Sequence, residues 1–344
     1  METENAPNLS PELPLLSSHV VAQRRNWYNR TFILFNILEH SKGREMVFLS
    51  DLNRKHNVRY LNAGSLNILM EYLGLTNNDE KLQGIKSKNP FNFFTDNKKN
   101  LKVYCSLATV DWKNCPIKAF NYAPSERTKQ QNEFKSLIGE NLKKYITDFE
   151  GAVDFDGDLD YKIVDGEEEK IELDISDEES VNRSLVDLKV IIDLFNEYHI
   201  KWRVHFSGTR GFHIFWSVPL DISAYQKREI INDMVKMFYT ILGLKTVDRS
   251  RYNTRKVMKC SYSICTKDDV SRVVLPLTAT QIANFKLSEM ECGWVYNNVR
   301  GLKNRGLLWN NTNFNKEQST INFMKFMDDF ELNIPEHREE QDEQ

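Results

Sequence analysis

The sequence predicts an α+β fold, and three observations carry that expectation. From residue 150 onward the hydrophobic pattern alternates between strand-like and helix-like periods in the order β-α-β-β-α-β. The strand-like segments are short and rich in Val, Ile, Phe and Trp, and two of them are joined by the tight, glycine-bracketed SGTRG. The helical stretches carry start and stop signals, and no internal repeat competes with this order.

Taken in sequence, residues 20–75 read as helical, with Phe32, Phe35, Leu38 and later Leu66, Leu69 and Leu73 at amphipathic spacing. KSKNPFNFFTDNKKN (86–100) reads as a loop, either anchored by buried phenylalanines or gripping single-stranded nucleic acid. LKVYCSLATVDW (101–112) and GAVDFD (151–156) read as strands. GEEEKIELDISDEES then has the composition of a solvated acidic loop, and Ser176 with Glu179 suits a capping box. The helix that follows places Leu185, Leu188, Ile191, Ile192 and Phe195 on one face.

KWRVHF and FHIFWSV are the strands around SGTRG, and DISAYQKREIINDMVKMFYTIL is a second helix stopped by Gly243. Strands at 255–260 and 271–275 complete the order. This is the RRM-like or ferredoxin-like arrangement, in which the first and third strands are the central pair, so motifs on them can meet. Residues 276–335 read as mainly helical, ahead of an acidic tail.

At 344 residues the chain can bury a substantial core, and 40% hydrophobic with 28% charged residues fits a globular protein. No apolar run approaches the roughly 18 residues of a membrane span. METENAPNLSPELPLLSS lacks the basic and apolar regions of a secretory signal and reads as a disordered leader. Five cysteines without a CxxC pair suggest free thiols in a reducing, cytoplasmic compartment, while a structural zinc site assembled in space stays open. The net charge of −3 is unevenly spread. Residues 148–179 carry −13 and residues 336–344 carry −4, so the rest carries +14, which suits either a polyanionic partner or a merely solubilised surface.

Three motifs carry chemistry. In GAVDFDGDLDYK, strand alternation turns Asp154 and Asp156 to one face and Val153 and Phe155 to the other. Paired carboxylates suit hard divalent cations such as Mg²⁺ or Mn²⁺. A calcium loop counted from Asp156 would need glycine where Tyr161 stands, and an acidic surface turn is the other alternative. Asp158 and Asp160, beyond Gly157, read as a solvated flank. In VHFSGTRGFHIFW, Ser207, Arg210 and His213 could cradle a triphosphate, or SGTRG could be a plain hairpin and His213 a core histidine. In LKTVDRSRYNTRKVMKCSYSICTK, Asp248 precedes Arg249, Arg251, Arg255, Lys256, Lys259 and Lys267, either a third metal ligand beside a phosphate or template surface or a solvated basic strand.

In this order and spacing the motifs resemble those of the archaeo-eukaryotic primase superfamily, the primase small catalytic subunits and primase-polymerases. The resemblance spans roughly residues 100–280, with weaker echoes in REMVFL (44–49) and NVRYL (57–61), and SGTRGFH is its most specific element. It implies that Asp154, Asp156 and Asp248 are catalytic and hold two Mg²⁺ or Mn²⁺ ions. It implies that Ser207, Arg210 and His213 bind nucleotide, joined by Lys259, Ser263 and Lys267 of KCSYSICTK, which is similar to a family segment RxPYSLHxK. Cys265 stands at that segment's His, Ser261 at its Pro and Lys259 at its Arg. The family's Cys/His zinc module and an appended helicase are not recognisable.

The implied activity is template-directed nucleotidyl transfer, primer synthesis by a DNA primase or primase-polymerase. Single-stranded DNA template, NTPs or dNTPs, and a helicase or other replication partner follow from it, with no membrane partner. The implied organisation is a leader (1–18), a catalytic domain (19–290, with a largely helical part to residue 100 and the motif-bearing core in 101–290), a helical extension (291–335) and the acidic tail (336–344). A non-catalytic nucleic-acid-binding replication-initiation module and a metal-dependent nuclease are the alternatives.

Overall fold

The computed structural model describes residues 23, 27–28, 31–50, 58–60, 101–115, 143–164, 167–254, 256–298 and 315–336. The first part comprises α1 (Thr31–His40), β1 (Arg44–Ser50), β2 (Val58–Tyr60), β3 (Leu101–Val110) and β4 (Ile146–Phe149). Next come β5 (Gly151–Asp156), β6 (Leu159–Val164), β7 (Glu167–Glu172), α2 (Asp177–Glu197), β8 (Trp202–Phe206), β9 (Gly211–Trp216) and α3 (Ala224–Thr240). The chain continues through β10 (Val257–Lys259), β11 (Ile264–Lys267), β12 (Val270–Val273) and β13 (Pro276–Leu277). It closes with α4 (Ala279–Ala283), a 3-10 turn, α5 (Cys292–Asn298) and α6 (Lys316–Asp329). The architecture is mixed α and β with antiparallel sheets.

Strand β3 is the spine of the first sheet. β1 pairs along one side with β2 beyond it, while β10 and then β4 pair along the other. The second sheet runs β13-β8-β9-β5, with every pairing antiparallel. All residues of β8 and β9 are buried, because the sheet is covered on both faces. On one face Trp216 meets Phe195 of α2 and Phe238 of α3 edge-on, with centroids 5.4 and 5.9 Å apart. On the other, His40 at the end of α1 meets His205 and Phe215 at 5.2 and 5.8 Å.

Both helices start at side-chain caps, although α2 shows only the Ser176 half of the expected capping box. The Ser176 hydroxyl accepts the Glu179 amide at 3.1 Å to cap α2, and Leu188, Ile191 and Phe195 are buried on its inner face. Ser223 and Gln226 form a reciprocal capping box on α3. Gly243 ends that helix region at a φ of +67°.

The first and third strands of the expected order, β5 and β9, lie side by side with Asp154 opposite His213 and Asp156 opposite Gly211. Contact there is close, since a Cβ on Gly211 would sit 1.7 Å from the Phe155 carbonyl oxygen. Among the described residues, the outer edge of β5 makes backbone bonds at Thr246 and Asp248. The Asp156 amide donates to Thr246 O at 2.8 Å and the Asp248 amide to Asp154 O at 2.9 Å.

Several expectations need correction. The segment expected to close this sheet, 255–260, instead gives β10, which pairs with β3 of the first sheet. Its alternation buries Met258 and Cys260 against that sheet, a choice that periodicity alone does not settle. The 271–275 segment is divided: Val270–Val273 form β12, a hairpin partner of β11, while Leu275 O accepts the Phe206 amide of β8 at 2.9 Å and leads into β13 of the second sheet. Within the expected helical region, residues 44–50 and 58–60 are strands, since β3 supplies a hydrogen-bonding edge to β1, and β1 in turn to β2, that outweighs local helical spacing. The acidic insertion is no loop over 167–172 but strand β7, paired with β6 in a hairpin. The leader, residues 61–75, the 86–100 loop, Arg255 and residues 337–344 of the tail lie outside the described residues.

Candidate active site

Strand β5 presents Asp154 and Asp156 toward the space between the sheets, while Val153 and Phe155 are buried on its other face. Asp154 Oδ1 is buried without a hydrogen bond and lies 3.3 Å from His213 Nε2. Burial opposes ionisation of Asp154, but the His213 imidazole and then Lys259 and Lys256 outweigh it and hold its carboxyl at about 2. Asp156 is pushed up to about 7, first by the Asp154 charge and then by burial, against the pull of Lys259. Two neighbouring carboxylates thus share a site where only one ionises readily, the electrostatic signature of a place for a cation.

That shift has a consequence for stability. An aspartate with a raised folded pKa favours the folded state while protonated. Asp156 therefore contributes stability below its ordinary value of about 4 and loses it as pH rises through about 7. Asp154 stays ionised across that window and adds no slope. In chelator-treated protein, Asp156→Asn should raise Tm over wild type by an amount that grows from about pH 5 to about pH 8. A pH-independent difference between the two melting curves would remove the assignment.

Asp248 joins this pair through the two backbone bonds at the edge of β5. Its carboxylate accepts from Ser250 Oγ at 2.8 Å and Lys256 Nζ at 3.3 Å, and Lys170 of the β6–β7 hairpin lies 3.9 Å away. The three carboxylates form an all-oxygen donor set of the kind that hard divalent cations prefer. The buried Asp154 Oδ1 without a hydrogen bond and the raised pKa of Asp156 both fit a divalent cation, so the residues suit Mg²⁺ or Mn²⁺.

The SGTRG turn lies directly beside this set. Gly208 adopts a φ of +85°, and the Ser207 hydroxyl accepts the Gly211 amide at 3.3 Å. Lys259 Nζ, from β10, donates to Thr209 Oγ1 at 3.3 Å. Burial opposes the Lys259 charge, but Cys265, Tyr104 and the Asp154 and Asp156 carboxylates hold its pKa above the ordinary lysine range. Arg210 is gripped on both sides: one Nη donates to Asp158, and Nε donates to Asp177 Oδ1 at 3.0 Å. Lys267 Nζ reaches the same Oδ1 at 3.1 Å, and Arg272 Nη1 donates to Asp177 Oδ2 at 2.6 Å.

The residues singled out in the sequence thus fall into three groups. Asp154, Asp156, Asp248, His213 and Lys259 come together around the carboxylate pair. Arg210 and Lys267 form a cationic clamp that meets at Asp177, with Arg210 also reaching Asp158, two residues after Asp156 in the chain. Ser207 and Ser263 are buried and spend their hydroxyls on backbone, Ser263 donating to Cys260 O at 2.7 Å, so they shape turns rather than face solvent. Asp158 is not a solvated flank, because its carboxylate is drawn in by Arg210 and is 14% exposed. Asp160 does lie nearer the surface, 36% exposed, with Arg183 at 3.9 Å.

Arg272, Asp177 and Lys170 were not singled out. A signal for Arg272 exists in KDDV, where Asp268 and Asp269 take positive φ values of 49° and 61° as a two-residue hairpin turn requires. Reading that turn pairs Cys265 with Arg272 and brings Arg272 to the face of Lys267. The basic run of the third motif is largely neutralised internally. Arg249 pairs with Glu168 and stacks over Tyr161 at 4.0 Å, and Arg251 pairs with Glu229 at 2.7 Å.

The question of a spatially assembled zinc site comes down, among the described residues, to His40, Cys105 and Cys260, whose ligand atoms lie within 4.8 Å of one another. The Ser261 amide donates to His40 Nδ1 at 2.8 Å, which puts the proton of the neutral ring on Nε2 and leaves it no lone pair for a metal. Among the described residues no helix is long and apolar enough to cross a membrane.

No family profile and no curated protein matches the sequence. Among solved structures, the chain is similar to one described as the polymerase domain from Mycobacterium tuberculosis Ligase D in complex with DNA. The identity is 10%, the match covers 88% of this chain and 100% of that chain, and the TM-score is 0.45.

Proposed function

We propose that the chain is a template-directed nucleotidyltransferase, a primase or primase-polymerase of the archaeo-eukaryotic superfamily. The observation that carries this reading is the placement of Asp154, Asp156 and Asp248 on adjoining backbone segments beside the Arg210–Lys267 clamp. In this reading the second sheet is an RRM-like unit whose fourth strand has shrunk to the bridge at Val247. The catalytic domain spans residues 19–290.

Asp154, Asp156 and Asp248 would hold two Mg²⁺ or Mn²⁺ ions, which supply activation of a 3′-hydroxyl and neutralisation of the leaving pyrophosphate. The chain's own contribution is orientation and charge. His213 keeps Asp154 ionised and fixes its direction. Lys259, held protonated between Thr209 and the carboxylate pair, places a positive charge where a phosphate oxygen would gather negative charge. Arg210 and Lys267 receive the outer phosphates, and Ser207 and Ser263 hold the backbone of the two segments that carry them. A second nucleotide or the template strand approaches over 249–259, where its phosphates would compete with Glu168, Glu229 and Asp248 for Arg249, Arg251 and Lys256.

The test uses unprimed and primed single-stranded DNA with labelled NTPs or dNTPs, in Mg²⁺ and in Mn²⁺, with products resolved by length. Metal-dependent, template-directed extension is expected. Salt-sensitive DNA binding without incorporation would instead identify a non-catalytic initiation module, and cleavage without nucleotides a nuclease.

A further inference from the structure

We propose that Asp177 is a built-in occupant of the triphosphate clamp, a carboxylate that holds Arg210, Lys267 and Arg272 together and yields them to the phosphates of an incoming nucleotide. The proposal rests on the nucleotidyltransferase reading and adds to it an internal competitor and a third cation, Arg272.

Three cations from three separate segments, the SGTRG turn, β11 and β12, converge on this one side chain. Asp177 Oδ1 accepts from Arg210 Nε at 3.0 Å and Lys267 Nζ at 3.1 Å, and Oδ2 accepts from Arg272 Nη1 at 2.6 Å. Lys267 and Arg272 are brought to one face by the β11–β12 hairpin, and Arg210 is delivered by the turn between β8 and β9. A carboxylate offers two oxygens and one charge, whereas a terminal phosphate offers three oxygens and close to two charges. Asp158 also lies on Arg210, and the exposed Asp268 is 4.0 Å from Lys267, but once Asp177 gives way three cations face a polyphosphate that offers more oxygens and more charge than one carboxylate.

Asp177 can also leave at modest cost. It is the first residue of α2, just after the Ser176 cap, where the helix N-terminus and water still favour an anion once its cations are taken. Its side chain is 23% exposed, and residues 173–176 before it belong to neither a strand nor a helix. The clamp is therefore formed in advance and closed on an exchangeable anion. Arg272 belongs to it although none of the three motifs includes it.

Isothermal titration with inorganic tripolyphosphate and with dATP, in chelator-containing buffer, tests the exchange. Asp177→Asn should bind both about tenfold more tightly than wild type, with the gain shrinking at high salt, and Arg272→Gln about tenfold more weakly. Asp177→Glu, which keeps the charge, should not tighten binding. If Asp177→Asn binds equally or more weakly while the wild type binds measurably, Asp177 merely organises the cations and the proposal falls, with the nucleotidyltransferase reading intact. If neither protein binds either probe, the three cations form no phosphate site and the proposal falls, while failure of the nucleotidyltransferase reading is read separately, from absent extension in Mg²⁺ and in Mn²⁺.

A second measurement needs no substitution. In the wild type, tripolyphosphate should speed hydrogen exchange of the Glu179 and Ser180 amides, which are bonded to Ser176 Oγ and O, as the first turn of α2 loses its anchor. Unchanged or slower exchange there, with tripolyphosphate bound, overturns the displacement.

Discussion

Substituting both Asp154 and Asp156 by asparagine should lower templated nucleotide addition by at least about a thousandfold while leaving single-stranded DNA binding within about twofold. The amides keep the volume of the acids, and the β5–β9 pairing that positions them is made by backbone, so the sheet has no reason to shift. What changes is the potential of the site. His213, Lys256 and Lys259 all act on Asp154 in the native protein, and without the pair these groups would face neutral amides. A space that now attracts a cation would become one that repels it, which is why the loss should be far larger than that of one hydrogen bond. The basic residues at 249–259 are untouched, so DNA affinity and its salt dependence should persist. Extension and DNA affinity would be measured on one preparation. Near-native extension by the double variant would refute the assignment of the carboxylates. A parallel loss of DNA binding would instead point to a damaged fold.

Much of this site was legible because its residues sit on short segments with strong local signals. Period-two alternation in GAVDFD was enough to put Asp154 and Asp156 on one face, and SGTRG announced a turn that only glycine could make at position 208. Sequence order also brought β5 beside β9, and so Asp154 beside His213. What could not be read was set by long-range pairing. Whether 255–260 joins the second sheet or the first depends on which edge is free, and β3 offers its edge from about 150 residues earlier in the chain, a separation at which local pattern is silent. The acidic hairpin was misread for a related reason. Glu167–Glu172 has a composition that favours solvent, but backbone pairing with β6, and contacts from Glu168 and Lys170 to Arg249 and Asp248, hold it as a strand. Composition reported the exposure of that segment correctly and its order wrongly. The clamp was half visible: Arg210 and Lys267 belong to motifs, whereas Arg272 and Asp177 join them only through a hairpin register and a helix start.

Glu150→Ala should destabilise the protein by about 3–5 kcal/mol, the largest stability loss expected of any single substitution considered for this chain. Glu150 stands between β4 of the first sheet and β5 of the second, at the point where the chain crosses from one to the other. Its carboxylate receives Arg203 of β8 in a two-point contact at 2.8 and 3.0 Å and Arg44 of β1 at 2.9 Å. The side chain of Arg203 is 1% exposed and stacks over Phe215 at 4.2 Å, while Arg44 also donates to the Ser106 and Leu107 carbonyls. One acid therefore compensates two guanidiniums in the space where the sheets meet, and removing it strands positive charge in a medium that solvates it poorly. The cost comes from the unbalanced charges rather than from a large intrinsic value of the pair. Replacing Arg44, Glu150 and Arg203 together by Met, Leu and Met should accordingly recover most of the loss. Urea unfolding of the single and triple variants separates the two contributions. A single-variant cost below about 1 kcal/mol would mean that water reaches the triad and that Glu150 is not what joins the sheets. Because β5 begins at the next residue, the same substitution should also weaken nucleotide addition at temperatures where the variant is still folded, through loss of the fixed position of Asp154 rather than of any contact with substrate.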